Sequence, residues 1–279
     1  MGVVELEDKD EIAAFLRRNA RAHVYELGDL DEFDWPFTRW FGWERDGRLE
    51  QLLLLYTEPA VPVLLAIAEE PLGTMEDLLR AVRDALPPAL YAHATAPLLD
   101  TLAERYAIEG AEPHLKLALG RDDLLTALAV PVELLGVADL ADIAAFYRAS
   151  YPRTWFVPRM LTTDRYVGIR QNGRLVCVAG VHVHSRTWGV AALGNVATLP
   201  EMRGLGLARG ACAALCLLLR ADGIETISLN VRVDNTAALA AYTRLGFEPA
   251  ATYTEASLRL LPPDRRLRRG RNRSAGEGT

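Results

Sequence analysis

Arg203, Gly204, Gly206 and Ala208, within the stretch TLPEMRGLGLARG, have residue types and spacing suited to holding a phosphate. The apolar run VAALGNVATL before them reads as a strand, and ARGACAALCLLLRA after them as a helix free of proline. A helix N-terminus carries unpaired N–H groups and a partial positive charge, so a turn of small residues lets a pyrophosphate rest on the backbone. A Cβ at Gly204 or Gly206 would block that approach. Other phosphate motifs fit less well. A P-loop needs a Gly-Lys pair, and the chain's only lysines are Lys9 and Lys116. A dinucleotide fingerprint needs a third glycine where Arg209 stands.

A second constellation lies downstream. Ile224–Val233 reads as a buried strand, followed by Asp234, Asn235 and the helical TAALAAYTRLGFE. Asp234 or Asn235 caps that helix and Gly246 ends it. Tyr242 lies two turns after Asn235, on the same side. By itself a helical tyrosine beside Leu239 and Leu245 is a packing residue. The two motifs together, R-x-x-G-x-A after Pro200 and N-x-x-A-x-x-x-Y-x-x-x-G-F at Asn235, Ala238, Tyr242, Gly246 and Phe247, resemble the Gcn5-related N-acetyltransferase (GNAT) family. The closing TRLGF region is also similar to the FR47/glycine N-acyltransferase-like branch.

The resemblance covers about 135 residues, and it implies direct acyl transfer from acetyl-coenzyme A, the one cosubstrate, to an amine, with no metal. It assigns cofactor binding to Val196, Ala197 and Thr198 on a bulged, splayed strand, to the cradle Arg203, Gly204, Leu205, Gly206, Leu207, Ala208 and Arg209, and to Asn235. A backbone N–H at the splay, taken as that of Val196, would hold the developing oxyanion. Tyr242 would protonate the leaving thiolate. Trp155, Phe156, Arg159 and Met160 lie in the segment that arches over the acceptor in related enzymes. Aromatic rings beside an arginine suit an apolar acceptor bearing a carboxylate. Asn195, near the splay, can hydrogen-bond an acceptor but not take its proton. Many relatives carry a glutamate base on this strand, and VAALGNVATL has none. His182 and His184 alternate along one strand face; a hairpin around Thr187 sets His182 opposite Ala192, about 15 Å from Val196 at ~3.3 Å per residue. The base is therefore left open, with acids of the first half or a water chain as alternatives.

The rest of the chain must position these groups, and its elements repeat. Asp46-Gly47 and Asn172-Gly173 are hairpin signals 126 residues apart, and RYAIEGAEP and RLGFEPAAT lie 139 apart. The expected fold class is α/β with a mixed sheet: two tandem GNAT-like domains, each a mostly antiparallel central sheet flanked by helices. The expected domains are 1–126, degenerate; 127–262, catalytic; and 263–279, a disordered Arg-rich tail. The first half's counterpart of the cradle, Glu70-Pro71-Leu72-Gly73-Thr74, has one glycine and no arginine, so it should bind coenzyme A poorly. Its expected work is to wall the acceptor pocket. DEFDWPFTRWFGW, from Asp31, reads as a hydrophobic seam or as an aromatic, acidic rim for a cationic substrate.

The 279 residues carry a net charge of −6; the tail from Asp264 holds six arginines against two acids, leaving −10 on the remainder. The longest apolar run, Ala211 to Leu219, is far short of the ~20 residues of a membrane span. The acidic MGVVELEDKDE lacks a basic-then-apolar leader, and Cys177, Cys212 and Cys216 read as reduced, buried small hydrophobes. The expected protein is a cytoplasmic monomer or homodimer acting on a small-molecule amine, with neither membrane nor nucleic acid as partner. The alternatives are transfer of a longer acyl group and a non-catalytic coenzyme A sensor or scaffold.

Overall fold

The computed structural model describes residues 2–262. The Arg-rich tail, for which disorder was expected, lies outside the described residues. In chain order the elements begin β1 (Gly2–Leu6), α1 (Lys9–Leu16), α2 (Val24–Gly28), β2 (Thr38–Arg45), β3 (Arg48–Tyr56), β4 (Val63–Ala66), α3 (Gly73–Val82), β5 (Ala89–Ala94), α4 (Leu98–Leu102) and β6 (Tyr106–Leu119). They continue α5 (Leu125–Leu128), β7 (Glu133–Leu135), α6 (Leu140–Ser150), β8 (Tyr166–Gln171), β9 (Arg174–Ser185), β10 (Val190–Thr198), α7 (Leu207–Ala221), β11 (Thr226–Arg232), α8 (Thr236–Arg244) and β12 (Phe247–Leu260).

These elements form two compact units interleaved in sequence. Of the described residues, the first holds 2–18, 32–114 and 252–262, and the second holds 19–31 and 115–251. A single cut at 126/127 was expected. It misses the arrangement because β6 and β12 are each long enough to serve both units, and because the short α2 packs on β9 and β10.

In the first unit the strand order is β1-β2-β3-β4-β5-β12-β6. The β1/β2, β2/β3 and β3/β4 ladders are antiparallel, β4/β5 is parallel and β5/β12 antiparallel. In the second unit the order is β7-β8-β9-β10-β11-β6-β12, again with three antiparallel ladders followed by a parallel one, β10/β11. The expected hairpin signals close their turns: Asp46-Gly47 and Asn172-Gly173 all have positive φ, the geometry that matches strand twist in a two-residue loop.

Strand alternation builds a core on each face of the second sheet. Cys177, Ala179 and Val181 of β9 pack with α7, whereas Val176 and Val178 pack with Ile143, Phe146 and Tyr147 of α6. The apolar stripe of α7, including Ala211, Cys212, Leu215, Cys216 and Leu219, is fully buried, which fixes that helix and the loop feeding it. All three cysteines are free and buried. In the first unit Met75, Leu78, Leu79 and Val82 of α3 pack on Leu53, Leu64, Ala92 and Leu258.

Candidate active site

β10 is deformed on both edges where the cradle begins. Against β9 it pairs Gly194 with Gly180 and then Ala197 with Val178, so β10 spends one residue more than its partner. The bulge falls at Asn195, whose φ of 54° is left-handed. Towards β11 the parallel register ends at Leu193 and Leu229, although the strands run on to Thr198 and Arg232. The two strands therefore part at Gly194, and the half-buried Val196, Ala197 and Thr198 line the opening.

Asn195 holds the bulge in place. Its Oδ1 accepts from Thr154 Oγ1 at 2.7 Å, its Nδ2 donates to Tyr166 Oη at 2.8 Å, and its backbone carbonyl accepts from Tyr147 Oη at 2.7 Å. Burial pushes both phenols well above their ordinary range, so they stay protonated donors. Asn195 was expected to meet the acceptor; it is 5% exposed, and its amide is committed to the chain's own groups. Its Nδ2 also lies 3.4 Å from the Trp155 carbonyl and from Met160 Sδ. Met160 is buried, a core residue rather than an acceptor contact, and the half-buried Phe156 packs against Tyr147 and Tyr166 at 5.2 and 5.8 Å. Of that segment, Trp155 is 46% exposed and Arg159 half-buried.

After β10 the chain turns through Pro200–Met202 into Gly204 and Gly206, at φ 80° and 78°, and α7 starts on Gly206 with no side-chain cap. A Cβ at Gly204 would project into open space, and one at Gly206 would meet only the Arg209 guanidinium, at 3.4 Å. The backbone from Arg203 to Gly206 is exposed at the end of a 15-residue helix. These uncapped amides and bare Cα atoms fit a pyrophosphate. The Arg203 side chain turns back instead, donating to the carbonyls of Thr198 at 3.3 Å and Ser150 at 3.2 Å, so it braces the cradle against β10 and α6.

Asn235 caps α8, its Oδ1 accepting from the Ala238 N–H at 3.2 Å. Tyr242 sits half-buried with its ring edge-on to Phe247 at 5.9 Å. Burial above all, with smaller contributions from Cys212, Tyr25, Cys216 and Tyr151, raises its phenol well above the ordinary value. Tyr242 is therefore a neutral proton donor across the physiological range.

Residues 138–247, which hold the bulge, the cradle and Tyr242, match the model of the Acetyltransferase (GNAT) family. The chain is 31% identical over 102 residues to N-alpha-acetyltransferase 30 of Schizosaccharomyces pombe, a match covering 37% of this chain and 62% of the relative. It is 35% identical over 89 residues to the [Ribosomal protein bS18]-alanine N-acetyltransferase of Escherichia coli K12, covering 31% of this chain and 58% of the relative. The chain thus spans about three fifths of the length of these curated relatives. In fold it is similar to a tandem GNAT protein from the clavulanic acid biosynthesis pathway, with TM-score 0.56 and 17% identity over 94% of this chain and 99% of that one.

Two features of the second unit correct or extend the sequence reading. The first is His182. On β9, Val183 pairs with Ala192 and Val181 with Leu193, leaving His182 as an extra residue in a bulge of its own. That bulge puts the two histidines on opposite faces of the sheet, where regular alternation sets them on one. His184 turns to Asp222 at the end of α7, Nε2 to Oδ2 3.5 Å. The His182 ring instead covers Gly194, so closely that a Cβ there would lie 2.3 Å from it, and packs edge-on to Trp155 at 5.5 Å and Tyr25 at 6.4 Å. The expected 15 Å separation from Val196 is therefore corrected: His182 lies against the residue next to the Asn195 bulge. Gly194, the one residue of VAALGNVATL with room for a ring above it, was the available signal.

The second is a buried ion cluster beneath α2. Lys116 Nζ lies 3.2 Å from Glu26 Oε2 and 2.7 Å from the Ala22 carbonyl, and His23 Nδ1 lies 3.1 Å from Glu26 Oε1. Burial opposes ionisation of Glu26, but Lys116 and His23 outweigh it and hold the carboxyl at about 2. This cluster fixes the short helix that carries Tyr25, whose ring lies 5.2 Å from Lys116 Nζ. A lone lysine in the apolar strand HLKLAL was its sequence signal.

Among the described residues, no group of three or more His, Cys, Asp or Glu is placed to hold a metal ion, and no helix is long and apolar enough to cross a membrane.

Proposed function

We propose that the protein transfers an acetyl group from acetyl-coenzyme A to a primary amine, with the second unit as the catalytic one. The observation that carries this reading is the parting of β10 and β11 at the Asn195 bulge, a few residues before an uncapped, glycine-lined helix N-terminus. The amides from Arg203 to Arg209 receive the pyrophosphate, and the strand edge at Val196, Ala197 and Thr198 receives the pantetheine arm. Acetyl-coenzyme A, when bound, supplies the activated carbonyl and a thiolate leaving group.

Each remaining step falls to a residue of this chain. The Val196 N–H, freed by the bulge from a regular ladder, donates to the thioester oxygen; one such donor contributes about 10²–10³-fold in rate. Tyr242 gives its proton to the departing sulfur. Trp155 and Tyr25 wall the acceptor on the face of the sheet opposite α7. Tyr25 comes from residues 19–31, a stretch of the N-terminal sequence that belongs to the second unit. We keep both free amines and protein α-amines as acceptors, because the two curated relatives carry names of N-terminal or alanine acetylation. The test is release of thiol from acetyl-coenzyme A by purified protein across polyamines, amino acids, aminoglycosides and N-terminal peptides, with calorimetry of coenzyme A binding. Binding without turnover on any acceptor favours the sensor reading, and failure to bind rejects both.

A further inference from the structure

The strand that usually carries the base has only Asn195 as a polar side chain near the opening, and that amide is committed to Thr154 and Tyr166. The group that accepts the amine proton must come from a neighbouring element on the acceptor face. We propose that His182 is this general base. The inference rests on the acetyl-transfer reading and goes beyond it by assigning the proton acceptor.

Three observations place it. The β9 bulge turns His182 away from α7, whereas His184 faces Asp222 at the end of that helix. The imidazole lies directly over Gly194, where β10 and β11 part and one residue before the β10 bulge. Trp155, 46% exposed, and Tyr25 flank the ring, and Nε2 is buried against Gly194, so the proton is assigned to Nδ1. Gly194 is required for this arrangement, since any side chain there would displace the ring.

The chemistry balances without a further reactant. The amine lone pair forms the new C–N bond at the thioester carbonyl while the nitrogen loses a proton to the imidazole. The C–S bond breaks, and the sulfur takes the Tyr242 proton. Imidazolium and phenolate then return to their starting forms by exchange with water, leaving an amide and a free thiol. The charged or titratable groups on the elements around His182 include Tyr25, with Glu26, His23 and Lys116 behind it on α2, its N-cap and β6, Tyr166 of β8, whose hydroxyl donates to the Val181 carbonyl at 3.3 Å, and Arg153 and Arg159 in the Trp155 segment. Gly194 and Asn195 on β10 contribute none. The arginines hold their charge throughout, and Glu26 stays ionised above about pH 2. An imidazole changes charge between roughly pH 5 and 8, so the proposal expects an acid limb of kcat/KM in that range.

The test uses the full chain and the best acceptor of the panel. His182→Asn and His182→Gln should lower kcat by about 10²-fold or more, the scale of general base catalysis, with the acetyl-coenzyme A KM within a factor of about two. The acid limb of the kcat/KM profile should vanish in both. His182→Ala leaves space over Gly194, and added imidazole should restore part of the rate, which a packing role would not allow. His184→Asn, on the other face, should keep the wild-type kcat and profile. Wild-type kinetics in His182→Gln, or an unchanged acid limb with no imidazole rescue, would overturn the assignment while leaving acetyl transfer intact. A wild-type enzyme that turns over no acceptor overturns the parent reading, and this one with it.

Discussion

The parallel pairs β4/β5 and β10/β11 occupy the same place in the strand order of their units, and they end differently. β10 and β11 part at Leu193 and Leu229 and leave a strand edge exposed next to the cradle. β4 is paired with β5 along its whole length, Val63 to Ala66 against Tyr91 to Ala94. Past its end the Thr95 hydroxyl accepts from the Ala68 N–H at 2.9 Å and donates to the Ala68 carbonyl at 3.0 Å, so a side chain closes the gap. The loop that follows enters α3 at Leu72, with no tandem of left-handed glycines. One topology thus gives an open and a closed version of the same junction. The difference lies in a bulge, two glycines and one hydroxyl, and teaches that a binding strand edge needs a local device to keep it from pairing.

Two carboxylates, the buried Glu26 and the half-buried Glu255, sharpen the contrast most. Glu26 depends on Lys116 and His23, whereas Glu255 in the first unit accepts from Tyr91 at 2.6 Å and Tyr253 at 2.8 Å, with His93 and His114 both 3.6 Å away. Lys116→Met should cost about 3–5 kcal/mol in chemical denaturation, because it strands a buried carboxylate. His93→Gln, which leaves both tyrosine bonds, should cost about 1 kcal/mol. The wild-type Glu26 carboxyl is held at about 2, below its ordinary 4.5, so its stabilisation is present above pH 4.5 and lost as pH falls through 2. In Lys116→Met burial dominates and raises the carboxyl, so the deficit should be larger at pH 7 than at pH 4. A deficit independent of pH would remove Glu26 from the explanation.

The cradles can be exchanged next. Gly206→Val places a β-branched residue at φ 78° and covers the amides, and should weaken coenzyme A binding by ~10²-fold or more by calorimetry. Gly73→Val, whose Cβ meets nothing within 4 Å, should leave it unchanged. Two coenzyme A molecules per chain would break the contrast between the units.

Tyr242→Phe keeps the ring against Phe247 and should lower kcat by ~10²-fold with little change in coenzyme A affinity. Full turnover would hand proton delivery to water; loss of binding would make Tyr242 a packing residue. The smallest effect is expected at Thr95→Val, which removes both bonds to Ala68 and should cost about 1–2 kcal/mol without creating a second coenzyme A site. Binding gained there would show that the hydroxyl alone closes the first unit.

Much of this was written in local pattern. The hairpins at Asp46-Gly47 and Asn172-Gly173, the amphipathic α3 and α7, the cap at Asn235 and the glycines of the cradle all follow from short-range backbone preferences, which neighbours in sequence decide. The repeat of element order followed from the same signals. Other features depend on partners far along the chain. That β12 lies beside β5, that residues 19–31 pack on β9 and β10, and that Asn195 is enclosed by Thr154, Tyr166 and Tyr147 are set by long-range packing. His182 shows the division most sharply. Its identity is in the sequence, but one extra residue in a ladder reverses the face of a side chain, and a bulge is fixed by how two strands twist together, which neither strand specifies alone.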